Sequence, residues 1–335
     1  MPIMTPEDVR YNQLIKTFAS EPEPAFETAE EQEGNWGQVW GCRNDVGRLQ
    51  SVLMHRPGDE LNTVDPDKKI EELGAYGDPE TGWYWRGAEP PDLPAMQAQH
   101  DALVKTLEEN QVRVVMLDEC APGRMKSCYT RDVVIAVDGG AIVCRLGPRV
   151  RRGEEMPATR TLAKLGMPIL RTINGTGICE GGSFAWINEQ TAVIGISSRV
   201  NEEAARQIDE VLAPMGIELI RMQVPGFRLH IDGMFVMVDV DTALVNPILL
   251  PFAFMEDLQK RGIRLIELSP EDEAFTINCL AIAPGRVIMS ETSERTLEKL
   301  DKAGIEVIQL DYEAVWRGGG GIHCSTAPLA RERLT

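Results

Sequence analysis

The amino-acid sequence predicts an α/β fold, a closed ring of five units that each run strand, turn, strand, helix, strand. Two observations carry this. The first is a recurring pattern of glycine, apolar, any residue, apolar, apolar. It reads Gly166-Met167-Pro168-Ile169-Leu170, Gly216-Ile217-Glu218-Leu219-Ile220, Gly262-Ile263-Arg264-Leu265-Ile266 and Gly304-Ile305-Glu306-Val307-Ile308, with a weaker copy at Gln111-Val112-Arg113-Val114-Val115. Successive copies stand roughly 42 to 55 residues apart, a spacing typical of repeat arrays. The second is that a helix-periodic segment precedes every copy, and a hairpin-like pair of apolar runs precedes four of those helices.

Taken in order, the first unit opens with a strand at Leu49–Met54, followed by an insertion over about 58–94 and a helix at Met96–Glu109. The second has the run Val133–Val137 turning at Asp138-Gly139-Gly140, then a helix at Glu155–Leu165. In the third, Phe184–Ile187 turns at Asn188-Glu189-Gln190 before a helix at Glu202–Met215. The fourth places Met234–Val238 before a turn at 239–241 and a helix at Phe254–Arg261. The fifth has Leu280-Ala281-Ile282 turning at Ala283-Pro284-Gly285, then a helix at Ser293–Ala303. One such unit cannot bury both faces of its sheet, whereas five in a ring can, strands inside and helices outside. An open doubly wound sheet is the alternative, but neither GxGxxG nor GxxxxGK[ST] is present. Residues 1–40 read as an N-terminal extension, with an acidic stretch at Glu21–Glu33, and 41–335 as a single domain.

Composition excludes several classes. The 335 residues are 43% hydrophobic and 26% charged, as in ordinary globular proteins. No apolar run approaches the length of a membrane span, and Met1–Thr5 lacks the regions of a signal peptide. The net charge of −18 disfavours nucleic acid and anionic membrane as partners and mildly favours a cationic small molecule. Seven scattered cysteines without a CxxC pair point to reduced thiols in the cytoplasm, not to a disulfide framework or a zinc site.

The repeat also places reactive residues. Positions leading into the first hairpin strand of each unit should converge near the ring axis. They hold Asp132 in Thr130-Arg131-Asp132, Glu180 in Glu180-Gly181-Gly182-Ser183, His230 and Asp232 in His230-Ile231-Asp232-Gly233, and Asn278-Cys279 in the fifth unit. Near the C-terminus four glycines, Gly318–Gly321, precede Ile322-His323-Cys324. Such a run permits close approach of backbone to a ligand. Carboxylates, an imidazole and a thiol together suit a cation. In a strand His230 and Asp232 would face the same way. His323, adjacent to Cys324 in an extended backbone, would point away, which leaves His230 as the base for Cys324.

These motifs in this order resemble the guanidine-modifying superfamily, which includes arginine deiminase, agmatine deiminase, dimethylarginine dimethylaminohydrolase and the amidinotransferases. The resemblance runs from about Asp45 onward and implies a five-bladed, pseudo-symmetric α/β propeller. Thr-Arg-Asp resembles arginine deiminase, and Glu-Gly-Gly-Ser with Gly-Gly-Gly-x-Ile-His-Cys resembles agmatine deiminase, although the tryptophan-rich N-terminal signature of the latter is not found. Asp232 departs from typical dimethylarginine hydrolases.

The resemblance implies a deiminase-type hydrolase of an arginine-like guanidinium, with Cys324 as nucleophile, His230 as acid and base, and Glu180 orienting His230. Asp132, Asp232 and Arg131 would bind substrate, and neither a metal nor an organic cofactor is expected. An amidinotransferase, a dimethylarginine-type hydrolase and a non-catalytic binding module are the alternatives. Arg145, Arg149 or Arg151 would meet a substrate carboxylate. Gly82-Trp83-Tyr84-Trp85-Arg86, in the insertion, is expected as a lid or as packing against its own unit. A homodimer is a base-rate expectation.

Overall fold

A computed structural model describes residues 5, 26–78, 83–85, 87–120, 122–226, 228–273 and 275–334. Glu21–Ala25 of the acidic stretch, and Gly82 and Arg86 of the aromatic segment, lie outside them. The chain is a mixed α/β structure whose described strands form six separate three-stranded sheets. Five match the expected units, and no strand ladder joins one described sheet to the next.

The first described helix is α1 (Ala29–Trp36), begun by a capping box between Thr28 and Glu31. The first sheet contains β1 (Leu49–Met54). The insertion folds as a small antiparallel sheet, β2 (Lys69–Ile70), β3 (Ala75–Asp78) and β4 (Trp83–Trp85). Then come α2 (Leu93–Glu109) and β5 (Arg113–Met116), which pairs in parallel with β1.

Four units follow with one topology. The second is β6 (Val134–Val137), β7 (Gly140–Val143), α3 (Glu155–Leu165) and β8 (Ile169–Thr172). The third is β9 (Phe184–Asn188), β10 (Thr191–Ile196), α4 (Glu202–Leu212) and β11 (Glu218–Gln223). The fourth is β12 (Phe235–Asp239), β13 (Thr242–Val245), α5 (Phe252–Lys260) and β14 (Arg264–Glu267). The fifth is β15 (Leu280–Ala283), β16 (Arg286–Ser290), α6 (Glu294–Lys302) and β17 (Glu306–Leu310). In each, the hairpin is antiparallel and the strand after the helix returns parallel to the middle strand.

Sequence explains these elements locally. Side chains cap three further helices: Asp92 accepts from Ala95 N, Asn201 from Ala204 N and Ser293 from Thr296 N. The buried stripe of α2, Met96, His100, Leu103 and Leu107, has helical spacing. The repeated glycines now have a reason. Gly166, Gly216, Gly262 and Gly304 all take positive φ, between 70° and 83°, where the helical segment hands over to the returning strand. The weaker copy has Gln111 there, also left-handed at φ 64° and the sole non-glycine with positive φ among the described residues.

The first unit departs from the expected plan. Its antiparallel partner is β18 (Ala327–Arg331), which pairs with β1 from across the whole chain. No local pattern announces this pairing. A short helix, α7 (Glu313–Trp316), precedes the glycine run and packs on α2.

First hairpin strands are buried along nearly their whole length, while the strands after the helices are half exposed. Consecutive units touch: β18 meets β6, β9 meets β12, β12 meets β15, and β15 meets β1. The second and third touch through the turns that precede β6 and β9. Helices reach back to the preceding unit, α4 to β8, α6 to β14 and α2 to β17. Among the described residues no helix is long and apolar enough to cross a membrane.

Candidate active site

Three short 3-10 turns, Thr130–Asp132, Gly181–Ser183 and Ile231–Gly233, lead into β6, β9 and β12 and pack against one another. They carry the candidate residues. Asp132 lies in the first turn, Glu180 and His230 stand immediately before the second and third, and Asp232 lies in the third. The expectation that His230 and Asp232 share a strand face is therefore corrected. His230 is extended, Asp232 is in a turn, and both reach one cavity because the chain bends between them.

That cavity, of about 420 Å³, is lined by Asp132, His230, Asp232 and Cys324, among others. Three of these groups converge over Gly182, where a Cβ would stand 2.8 Å from Asp132 Oδ1, 2.9 Å from His230 Nδ1 and 3.2 Å from Asp232 Oδ2. Glycine is required there by crowding, not by an unusual φ.

Cys324 is 6% exposed, and its Sγ lies 3.3 Å from Asp232 Oδ2. Burial, then Asp232 and Asp132, hold the thiol well above its ordinary pKa. Asn278 fixes its backbone: Cys324 N donates to Asn278 Oδ1 at 3.0 Å, while Asn278 Nδ2 donates to the Asp232 carbonyl at 3.2 Å. The glycine run serves close approach to the protein's own side chains. A Cβ on Gly318 would strike Tyr129 Oη and Trp85, and one on Gly321 would strike Asn278. Trp85 is thus buried against the glycine run of a distant segment, not merely against its own unit.

His230 Nε2 lies 2.7 Å from Glu180 Oε2, and Nδ1 lies 3.7 Å from Asp132 Oδ1. Burial opposes its charged form, but Asp132, Glu180 and Asp232 outweigh that and raise it to about 9. Glu180 is also buried, which by itself would raise it. His230, Arg151 and Arg199 instead hold it well below the usual carboxylate range. Arg199 Nη1 donates to both Glu180 oxygens at 3.0 Å.

Several residues sit otherwise than expected. Arg131 does not line the cavity. Its guanidinium meets His323 Nε2 at 2.5 Å and lies 3.7 Å from Asp45, on the far side of the turn from Asp132. The backbone at His323 is a turn, not extended, and His323 Nδ1 bonds Asp232 Oδ2 at 3.0 Å. His323 therefore stays out of the cavity yet braces its carboxylate from behind. Arg151 pairs with Asp132 and, at 2.7 Å, with Glu154, and lies 3.8 Å from Glu180. Arg145 donates to the carbonyls of Gly175 and Gly177. Burial raises Glu154 to about 7 despite Arg151.

Arg151 and Arg199 carried no local signal of these roles. Asn278 did, since it holds the fifth unit's equivalent place. Donor atoms of Asp132, Glu180 and His230 lie within 4.8 Å of one another, but two guanidinium groups already compensate those carboxylates. This is the electrostatics of a charge network rather than of a metal centre.

Comparison with known proteins fits this geometry. Residues 94–331 match the family described as N,N dimethylarginine dimethylhydrolase, eukaryotic. The chain belongs to this family. It is 28% identical over 238 residues to the N(G),N(G)-dimethylarginine dimethylaminohydrolase of Pseudomonas aeruginosa, covering 70% of this chain and 88% of that protein. It is 22% identical over 418 aligned positions to an arginine deiminase of Listeria monocytogenes, covering 89% and 99%. The structure of a Pseudomonas aeruginosa DDAH mutant complexed with citrulline superposes with a TM-score of 0.68 at 23% identity, covering 84% of this chain and 99% of that one. The chain is thus a member of the superfamily of enzymes acting on guanidines. Asp232, read as a departure from dimethylarginine hydrolases, stands within a chain that matches their family.

Proposed function

We propose that this protein hydrolyses the guanidinium group of an arginine-like small molecule through a covalent amidino-thioether on Cys324. The carrying observation is that the His230 imidazole and two carboxylates, Asp132 and Asp232, meet around Gly182 at one cavity, which the Cys324 thiol also lines 3.3 Å from Asp232. The five touching sheets are read as a five-bladed α/β propeller forming a single domain from about residue 41, with the site at its axis.

Chemistry follows from the charges. In the free enzyme Cys324 is a neutral thiol, because burial and two carboxylates disfavour its anion. A bound guanidinium offsets Asp132 and Asp232 and so favours the thiolate. The sulfur then attacks the central carbon. His230, protonated at neutral pH, gives a proton to the departing amine. The carbon–nitrogen bond breaks and the amidino-thioether remains. Neutral His230 next takes a proton from water, which attacks the same carbon, and the carbon–sulfur bond breaks to return Cys324 and release a ureido product. Glu180 holds the ring and stabilises its charged form. Asp232 accepts from one N–H edge of the cation, as carboxylates do from guanidinium groups, which leaves a face open to the sulfur. The seven free cysteines fit a reducing, cytoplasmic setting.

The test is incubation with arginine, methylated arginines, agmatine and guanidino acids, followed by acid quench and intact-mass measurement. Citrulline-type product with an amidino adduct on Cys324, lost in Cys324→Ser, supports the reading. Ornithine-type release dependent on an amine acceptor would establish amidino transfer instead. Turnover that survives Cys324→Ser would overturn both.

A further inference from the structure

We propose that His55, Glu60 and Cys120 form a binding site for one divalent transition-metal ion of the zinc class, separate from the catalytic cavity. His55 directly follows β1, Glu60 lies in a 3-10 turn five residues later, and Cys120 follows β5. Strands β1 and β5 are parallel neighbours, with Met54 beside Met116, so their ends deliver His55 and the Cys120 segment to the same edge.

The donor atoms are already gathered. One imidazole nitrogen, one carboxylate oxygen and one sulfur lie within 4.8 Å of one another. His55 Nε2 and Glu60 Oε1 are 3.0 Å apart, and the imidazole is held between Glu60 and Cys120. Around tetrahedral zinc, with bonds of about 2.0–2.3 Å, donor atoms stand about 3–4 Å from each other. The observed cluster needs little rearrangement to reach that spacing.

Outer partners orient two of the three ligands. Gly58 N donates to Glu60 Oε1 at 2.9 Å. Cys120 Sγ contacts Ser127 Oγ at 3.0 Å, and Ser127 Oγ donates to the Arg124 carbonyl at 2.8 Å. Such supports are what hold metal ligands in place. The His55 and Glu60 side chains are 12% and 6% exposed, enough shelter to strengthen binding while leaving a path for the ion.

Ligand type selects the metal. A thiolate with an imidazole favours zinc-like ions over magnesium or calcium, which prefer all-oxygen sets. Three protein ligands leave a fourth position for water or Ser127 Oγ. Binding replaces the Cys120 thiol proton and any proton on His55, which leave to solvent. The residues that follow carry Lys126, Tyr129 and Asp132 to the catalytic cavity, so an ion here anchors the base of that segment.

The test uses the full chain carrying Cys324→Ser, which removes the thiol in contact with Asp232. After chelator treatment it is titrated with Co²⁺. One equivalent is expected to bind with a thiolate-to-cobalt charge-transfer absorption, displaced by Zn²⁺. Adding Cys120→Ser should abolish that absorption, and Glu60→Gln, nearly isosteric, should weaken Co²⁺ binding at least tenfold with circular dichroism unchanged. Absence of the absorption in the Cys324→Ser protein would overturn the proposal. So would its persistence after Cys120→Ser, or unchanged affinity in a folded Glu60→Gln protein.

Discussion

Asp232 acts on Cys324 in two opposed ways. Its charge raises the thiol pKa, yet in the proposed mechanism it is also the carboxylate that holds the guanidinium. Asp232→Asn should separate the two. Alkylation of Cys324 by iodoacetamide at neutral pH should quicken several-fold, read by intact mass, while guanidine turnover falls about 100-fold or more. Slower alkylation would contradict the electrostatic account. Under the proposed mechanism His230 sets the alkaline limit. Raised from 6.5 to about 9, it keeps the proton needed by the leaving amine below that value and loses it above. The kcat/KM profile should therefore fall as pH rises through about 9. Folding linkage has the same sign: the stability from the His230 charge is fully present below about 6.5 and is lost as pH rises through 9.

Much of the site at this scale was legible because equivalent positions recur. Asp132, Glu180, His230 and Asp232 were picked out by the repeat, and Cys324 by its glycine run. Arg131 was misplaced because neighbouring residues in a 3-10 turn point in different directions, a distinction that sequence adjacency hides. Arg151 and Arg199 have the same cause in reverse. Their partners, Asp132 and Glu180, come from other segments, and only the folded chain brings them together.

At the scale of elements, the left-handed residue between helix and returning strand is the clearest shared device. Four units use glycine, and the first uses Gln111 at φ 64°. A side chain in that region costs about 1 kcal/mol, so Gln111→Gly should stabilise the fold by about 0.5–1 kcal/mol. Loss of the bond from Arg48 to Gln111 Oε1 is a small offset at an exposed position. Urea denaturation should show the midpoint rising with the slope unchanged. The helices fell within a few residues of their expected bounds because caps and apolar periodicity are written locally. The first unit's missing strand was not legible, since nothing in Ala327–Arg331 names β1 as its partner; Gly-rich turns and hydrophobic runs specify neighbours, not distant edges.

For the whole molecule, Arg331 ties the first unit to the fifth. It is buried, donating to the Gly47 carbonyl at 2.7 Å and to the Ala281 carbonyl at 2.8 Å. Those carbonyls belong to the segment before β1 and to β15, so one side chain joins the first and fifth units. Arg331→Met leaves two buried acceptors unpaired and should cost about 2–5 kcal/mol. Equilibrium unfolding measures this; a cost under about 1 kcal/mol would mean the closure rests on β18 pairing alone.

The pairing of β18 with β1 also has a consequence for biosynthesis. The paired residues run from Leu49 with Arg331 to Leu53 with Ala327, at opposite ends of the domain's chain, and β18 begins three residues after Cys324. While the ribosome is still translating the intervening units, the first sheet waits with an open edge and Cys324 is not yet made. Completion of the first sheet and arrival of Cys324 therefore fall together in synthesis.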